Sequence, residues 1–282
     1  MKIVNSINEI TSFVKDAKNK ANSIGLVPTM GYLHKGHVSL ISQARAVTDR
    51  VVVSIFVNPT QFEPGEDYAS YPRDMKTDAL VAEKAGADII FAPDSSQMYP
   101  KDYSTYVNVE GLSELLCGRR RSGHFRGVTT VCAKLFNIVK PDVAFFGQKD
   151  AQQFVIIQRM VADLNMDVKL KLLPIVREND GLAMSSRNKY LSPKQRKDAS
   201  VLYQALKQAK SMIESGENDA AKVKQQIINI INKIDSKIDY ISITDPDSLK
   251  DVAVISGEVL IALAVWIGRA RLIDNVIAGR KQ

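Results

Sequence analysis

Two of the three histidines in this 282-residue chain stand three residues apart, in the stretch Met30-Gly31-Tyr32-Leu33-His34-Lys35-Gly36-His37. Imidazoles at this spacing can both donate hydrogen bonds to one anionic group. Gly36 lets a ligand approach the backbone closely. A helix beginning at His37 would aim unpaired N–H groups and the positive end of its dipole at the same spot. The chemistry these features suit is a grip on phosphate. The plain alternative is a solvated surface turn. A metal site would require a third ligand that the spacing does not supply. Neither G-x-G-x-x-G nor G-x-x-x-x-G-K-[ST] occurs in the chain.

Four further stretches carry polar groups suited to the same kind of ligand. Asn58 and Gln61 offer neutral amides, apt for holding a small polar substrate without a counter-charge. The glycine-punctuated basic loop from Cys117 to Gly127 contains Arg119, Arg120, Arg121, the third histidine His124, and Arg126. Of these, Arg121 and His124 are candidates for meeting carboxylate or phosphate charge. Gly147-Gln148-Lys149-Asp150 places a lysine after a glycine, where it can neutralise a phosphoryl oxygen. Met184-Ser185-Ser186-Arg187 brings two hydroxyls and a guanidinium that could hold β- and γ-phosphates. Each stretch taken alone also reads as an ordinary turn or a solvated face.

These loops must be held by something, and hydrophobic patterning indicates what. Short apolar runs at 24–28, 51–57, 88–92, 142–146 and 168–173 read as strands buried on both faces. Helical periodicity fills 37–47, 73–85, 128–139 and 151–164, with Pro72 leading into the second helix and Gly86 following it. This alternation predicts an α/β fold with a Rossmann-like parallel sheet and helices on both faces. Ligands in such sheets bind beyond the carboxyl ends of the strands, and the polar stretches lie there. The pattern changes near Arg177–Gly181. A Ser192-Pro193 helix start opens a long helix to about Ser215, a second helix runs to about Ile234, and strands follow at 240–244 and 259–267. The expected organisation is a domain over 1–176 and a smaller α+β domain over 177–282.

Composition narrows the class. With 45% hydrophobic residues the chain can bury a core, and its two cysteines form no disulfide framework or zinc motif. The N-terminus lacks a signal-peptide pattern, and the longest uncharged apolar run, 259–267, is too short for a membrane helix, so a soluble cytoplasmic protein is expected. The net charge of +7 raises nucleic-acid binding. It is spread as +3 over 1–176 and +4 over 177–282, with no broad basic face, so neither a nucleic-acid nor a membrane partner is expected.

In this order, the segments PTMGYLHKGH at 28–37, FVNPTQF at 56–62, YPRD at 71–74, SGHFRGV at 122–128, PDVAFFGQKDAQQ at 141–153 and IVRENDGLAMSSRN at 175–188 resemble the pantothenate synthetase (pantoate–β-alanine ligase) family along essentially the whole chain. The resemblance implies an ATP-binding domain, a smaller C-terminal lid and a homodimer. It implies that ATP, with Mg²⁺, drives the joining of pantoate to β-alanine through a pantoyl adenylate, giving AMP and diphosphate. By position, Met30 to His37 (Gly31, Tyr32, Leu33, His34, Lys35 and Gly36 between them), Gly147, Gln148, Lys149, Asp150, Val176, Met184, Ser185, Ser186 and Arg187 match the ATP site. His34, His37, Lys149, Ser185, Ser186 and Arg187 are the expected catalytic groups. Gln61 and Gln153, with Asn58, Arg121 and His124, fall on the substrate side. Gln148 and Ser122 stand where Glu and Pro are common in the family. The enzymatic alternative is another nucleotidyltransferase of the His-x-Gly-His type.

Overall fold

The computed structural model describes residues 1–279 and divides them into two compact units. The first comprises 1–114, 118–148 and 153–174; the second comprises 115–117, 149–152 and the chain from Ile175 onward.

Six parallel strands form the sheet of the first unit: β1 (Lys2–Val4), β2 (Ile24–Thr29), β3 (Arg50–Ile55), β4 (Ile89–Phe91), β5 (Val143–Gly147) and β6 (Lys169–Leu173), in the order β1-β4-β3-β2-β5-β6. Around them run α1 (Ile7–Asn19), α2 (Lys35–Val47), α3 (Met75–Ala85), the short α4 (Ser95–Met98), α5 (His124–Val139) and α6 (Ala151–Asp163). Helices pack in pairs, α2 with α3 and α1 with α5. Val51, Val53 and Ile55 of β3 point into one core with Leu40, Ile41, Ala44 and Ala82, as a period of two requires of a strand covered on both sides. From β2 the chain proceeds through β3 and β4 on one side, then returns to β5 and β6 on the other. The strand order therefore reverses between β2 and β5, the place where doubly wound sheets open a ligand crevice.

The second unit contains α7 (Pro193–Asp198), α8 (Val201–Glu214), α9 (Ala220–Ile231) and an antiparallel sheet of β7 (Lys237–Thr244), β8 (Val259–Ile267) and β9 (Ala270–Ala278). Its core joins Leu202, Leu206, Ile213, Val223 and Ile227 to the apolar residues of β8.

Several boundaries differ from the sequence expectation, each for a local reason. The helix expected at His37 starts at Lys35, because His34 itself is the cap. Asp74, not Pro72, begins α3, its carboxylate accepting from Thr77 N, while Gly86 ends that helix at φ +103°. The helix expected at 128 begins one turn earlier, at His124. The long helix after Ser192 is two helices: Ser192 and Gln195 form the expected capping box, but the chain tightens at Ala199–Ser200. β6 is an edge strand with Lys169, Lys171 and Leu172 exposed, not a strand buried on both faces, and edge lysines are a common guard against strand pairing. β1, α1 and β9 were not expected, although α1 opens on a capping box of Ser6 and Glu9. No helix among the described residues is long and apolar enough to cross a membrane.

Candidate active site

The turn after β2 is built by hydrogen bonds that run in both directions around His34. His34 caps α2, and its Nδ1 accepts from Gly36 N at 3.1 Å; the ring of His37 reaches back, its Nδ1 accepting from His34 N at 3.2 Å. This is a capping box made by two imidazoles instead of Ser and Glu. An Nδ1 that accepts carries no hydrogen, so in each neutral ring the proton resides on Nε2. The rings lie 4.1 Å apart, centre to centre. Two Nε2–H donors thus sit side by side at a helix N-terminus, beyond β2, at the reversal of strand order.

The approach to this cap is held from a distance. Gly31 (φ +82°) and Tyr32 (φ +53°) are both left-handed. A tyrosine there is strained unless its surroundings fix it. Asp78 on α3, only 2% exposed, does so by accepting from Tyr32 N at 2.8 Å and Leu33 N at 2.7 Å. Burial pushes its carboxyl above the usual range, against the lowering effect of those two N–H groups. Gly31 permits the arrangement, since a Cβ would stand 2.9 Å from Asp78 Oδ2.

Beyond β3, Asn58 is 1% exposed and its amide has protein partners throughout. Its Nδ2 donates to Gln61 Oε1 and to Gly127 O, each at 3.1 Å, while Oδ1 accepts from Thr60 and from Tyr99 Oη at 2.9 Å. Burial pushes the Tyr99 phenol up to about 12, which keeps it a donor. Asn58 therefore orients the amide of Gln61, leaving Gln61 Nε2 directed at Met30 Sδ, 3.1 Å away.

Arg121 and His124 are likewise engaged with protein groups. Arg121 makes a two-pronged pair with Glu66, both contacts 2.6 Å, and donates from Nη1 to His124 Nε2 at 3.0 Å. His124 Nδ1 lies 2.7 Å from Gln61 O, which can only accept, so Nδ1 carries a hydrogen. Burial raises the Glu66 carboxyl, but the hydrogen bond and charge of Arg121 outweigh it and hold Glu66 below the usual glutamate range. Arg121 also donates to Gln61 O, so the Gln61 backbone is held here while Asn58 holds its side-chain amide.

In the second unit, Lys149 lies in the one-turn segment Gln148–Asp150 that follows Gly147, with its ammonium 3.4 Å from Asp150 Oδ2. Val176 and Met184 pair across a tight junction, Met184 N donating to Val176 O at 3.0 Å. Ser185 then caps the turn Ser186–Tyr190, its hydroxyl accepting from Arg187 N and keeping its hydrogen for donation. Ser186 is buried. Gln153 is half-buried on α6, next to Gln152, whose amide accepts from Cys117 N and donates to Leu115 O.

Both the sequence and the fold have known counterparts. The family model described as pantoate-beta-alanine ligase matches residues 2–277. The chain belongs to that family. A pantothenate synthetase from Fervidobacterium nodosum is 56% identical over 277 residues, 98% of this chain and 99% of that one. Among solved structures, a pantothenate synthetase from Thermus thermophilus superposes with a TM-score of 0.93 at 42% identity, covering 98% of this chain and 99% of that chain. The pantoate-beta-alanine ligase of Francisella tularensis, complexed with beta-gamma ATP and beta-alanine, gives 0.82 at 33% identity, covering 98% and 97%.

As a member of the ligase family, the chain shows residues around its motifs that sequence reasoning passed over. Asp78, Glu66 and Tyr99 shape the turns of the first unit, and Asn275 touches the Lys149 turn in the second. Asp78 lies four residues after the YPRD segment and Glu66 four residues after FVNPTQF, while Gly127 stands inside SGHFRGV, where its carbonyl's role as the acceptor for Asn58 carried no sequence signal.

Proposed function

We infer that this chain is an ATP-dependent pantoate–β-alanine ligase, forming pantothenate, AMP and diphosphate. The observation that carries the reading is the reciprocal His34–His37 cap, which presents two Nε2–H donors at the start of α2. A carboxylate is a poor electrophile because an oxide must leave; adenylation replaces that leaving group with AMP. The pantoate carboxylate attacks the α-phosphorus of ATP in line, forming the acyl–phosphate bond as the bond to the bridging oxygen of pyrophosphate breaks. Charge then grows on phosphoryl oxygens, where His34 and His37 donate. Lys149 neutralises the same charge, and Ser185, Ser186 and Arg187 bind the departing pyrophosphate. The β-alanine amine next attacks the acyl carbon and expels AMP, losing its proton to solvent or a phosphate oxygen. Gln61 and Gln153 hold pantoate, Asn58 acting through Gln61. Arg121 and His124 shape the substrate side by fixing the Gln61 backbone.

Met30 to His37, Gly147 to Asp150, Val176 and Met184 to Arg187 form the nucleotide-binding set in this reading. Among the described residues no three His, Cys, Asp or Glu side chains converge to hold a metal ion. A magnesium ion accompanying ATP would be held by phosphate oxygens and water. The test is AMP formation with each substrate omitted in turn. Dependence on both pantoate and β-alanine is expected; AMP formation independent of β-alanine would indicate a different adenylyl transfer.

A further inference from the structure

After Arg271, β9 is apolar apart from two adjacent polar residues near its middle, Asp274 and Asn275, each 3% exposed. Polar groups buried this deeply are stable only with partners. Asn275 Nδ2 donates to the Lys149 carbonyl at 3.1 Å. Asp274 receives both ends of the Arg177 guanidinium, at 2.6 and 2.9 Å, and the backbone N–H of Asn275 at 2.7 Å. Arg177 also donates to Gly181 O and stacks 3.8 Å over the Tyr203 ring. Three residues after Lys149, Gln152 is fixed to Leu115 and Cys117. Asn275 is thus a strand-borne side chain that reaches the backbone of Lys149 directly.

We propose that Asn275 is a positioning residue for Lys149, setting where the lysine backbone stands and so where its ammonium can reach. The proposal rests on the reading of Lys149 as a phosphate-neutralising group. A long flexible side chain can deliver its charge accurately only from a fixed base, and misplacement of a catalytic group by 1 Å can lower a rate about 100-fold. An asparagine kept only to satisfy β9 would have no such link to the lysine.

A double-mutant cycle on the full chain separates these roles. Pyrophosphate–ATP exchange in the presence of pantoate is measured for wild type, Lys149→Ala, Asn275→Leu and the double variant. Asn275→Leu keeps the volume and removes the donor. Its exchange rate should fall about tenfold, with the loss mainly in kcat and little change in KM for pantoate. In the Lys149→Ala background the same change should have almost no further effect. Equal losses in both backgrounds, or no loss in either, would overturn the proposal. If Asn275→Leu does not fold, the smaller Asn275→Ala, which has no side-chain donor, takes its place in the cycle. Failure of both to fold would make the residue structural and the proposal wrong. Absence of β-alanine-dependent AMP formation by wild type would instead defeat the ligase reading.

Discussion

Substituting His34 separates the cap that the structure shows from the phosphate-donating task proposed for the same ring. The Nδ1 atom caps α2 through Gly36 N, and the Nε2–H is the donor assigned to phosphate. Alanine removes both. Loss of a cap costs about 1 kcal/mol, which for a chain of this size lowers the thermal midpoint by roughly 2–4 °C. Asparagine is among the best capping residues, so His34→Asn should restore the midpoint to about that of wild type while leaving no donor where Nε2 stood. Removal of one donor of this kind lowers a rate by about 100-fold or more, or roughly 3 kcal/mol. A 1 kcal/mol loss of stability changes a folded-to-unfolded ratio only about fivefold, so destabilisation cannot imitate that effect. Pyrophosphate–ATP exchange with pantoate reads the adenylation step, and a thermal melt reads the cap. His34→Ala and His34→Asn should be equally slow but unequally stable. His37→Gln should behave like His34→Asn, because Gln at the third helical position can still accept from His34 N. Exchange by His34→Asn at more than a tenth of the wild-type rate would refute the donor assignment. A midpoint as low as that of His34→Ala would refute the cap.

Three other substitutions or probes test the frame around the turns. A Cβ at Gly127 would stand 2.4 Å from the Thr60 carbonyl, so Gly127→Ala should destabilise the protein by about 1–3 kcal/mol and raise KM for pantoate by displacing Gln61; thermal melts and initial rates check both. Glu66 is held below the ordinary glutamate range when folded, so its pairing with Arg121 stabilises at neutral pH and is lost as pH falls through that range towards the lower folded value. The stability gap between wild type and Glu66→Gln should therefore narrow on acidification, as midpoints measured across a pH series will reveal. Burial pushes the Cys132 thiol up to about 12, so this thiol should resist an aromatic disulfide reagent in the native protein and react only on unfolding.

How much of this was legible in the sequence follows from how far apart the interacting groups lie. The His34–His37 box is written in four consecutive residues, because helical geometry brings the cap and the third helical position together. The parallel sheet was legible for a related reason: β2, β3 and β5 are apolar on both faces, so their character does not depend on which strand they pair with. β6 misled because Leu170, Leu172 and Leu173 read as part of an apolar run, although the lysines at 169 and 171 alternate with leucine as in a strand open to solvent on one face. The break between α7 and α8 was invisible because a serine and an alanine carry no strong helix-breaking signal.

The polar frame of the site was illegible for a different reason. Asp78 lies 46 residues from Tyr32, Gly127 69 residues from Asn58, and Asn275 126 residues from Lys149. No local period relates such pairs, and a carboxylate, glycine or amide taken alone does not indicate which distant group it will meet. Only the topology can bring them together, since strand order in the first unit and pairing of β8 with β9 in the second decide which loop each side chain meets. The consequence is functional as well as predictive. The groups proposed to donate to substrate are recognisable by their motif, but the turn that holds them depends on residues outside it. His34 and His37 point as they do because the preceding left-handed residues are pinned by Asp78. A transplanted His-x-Gly-His turn lacking that carboxylate would keep the motif and lose its direction.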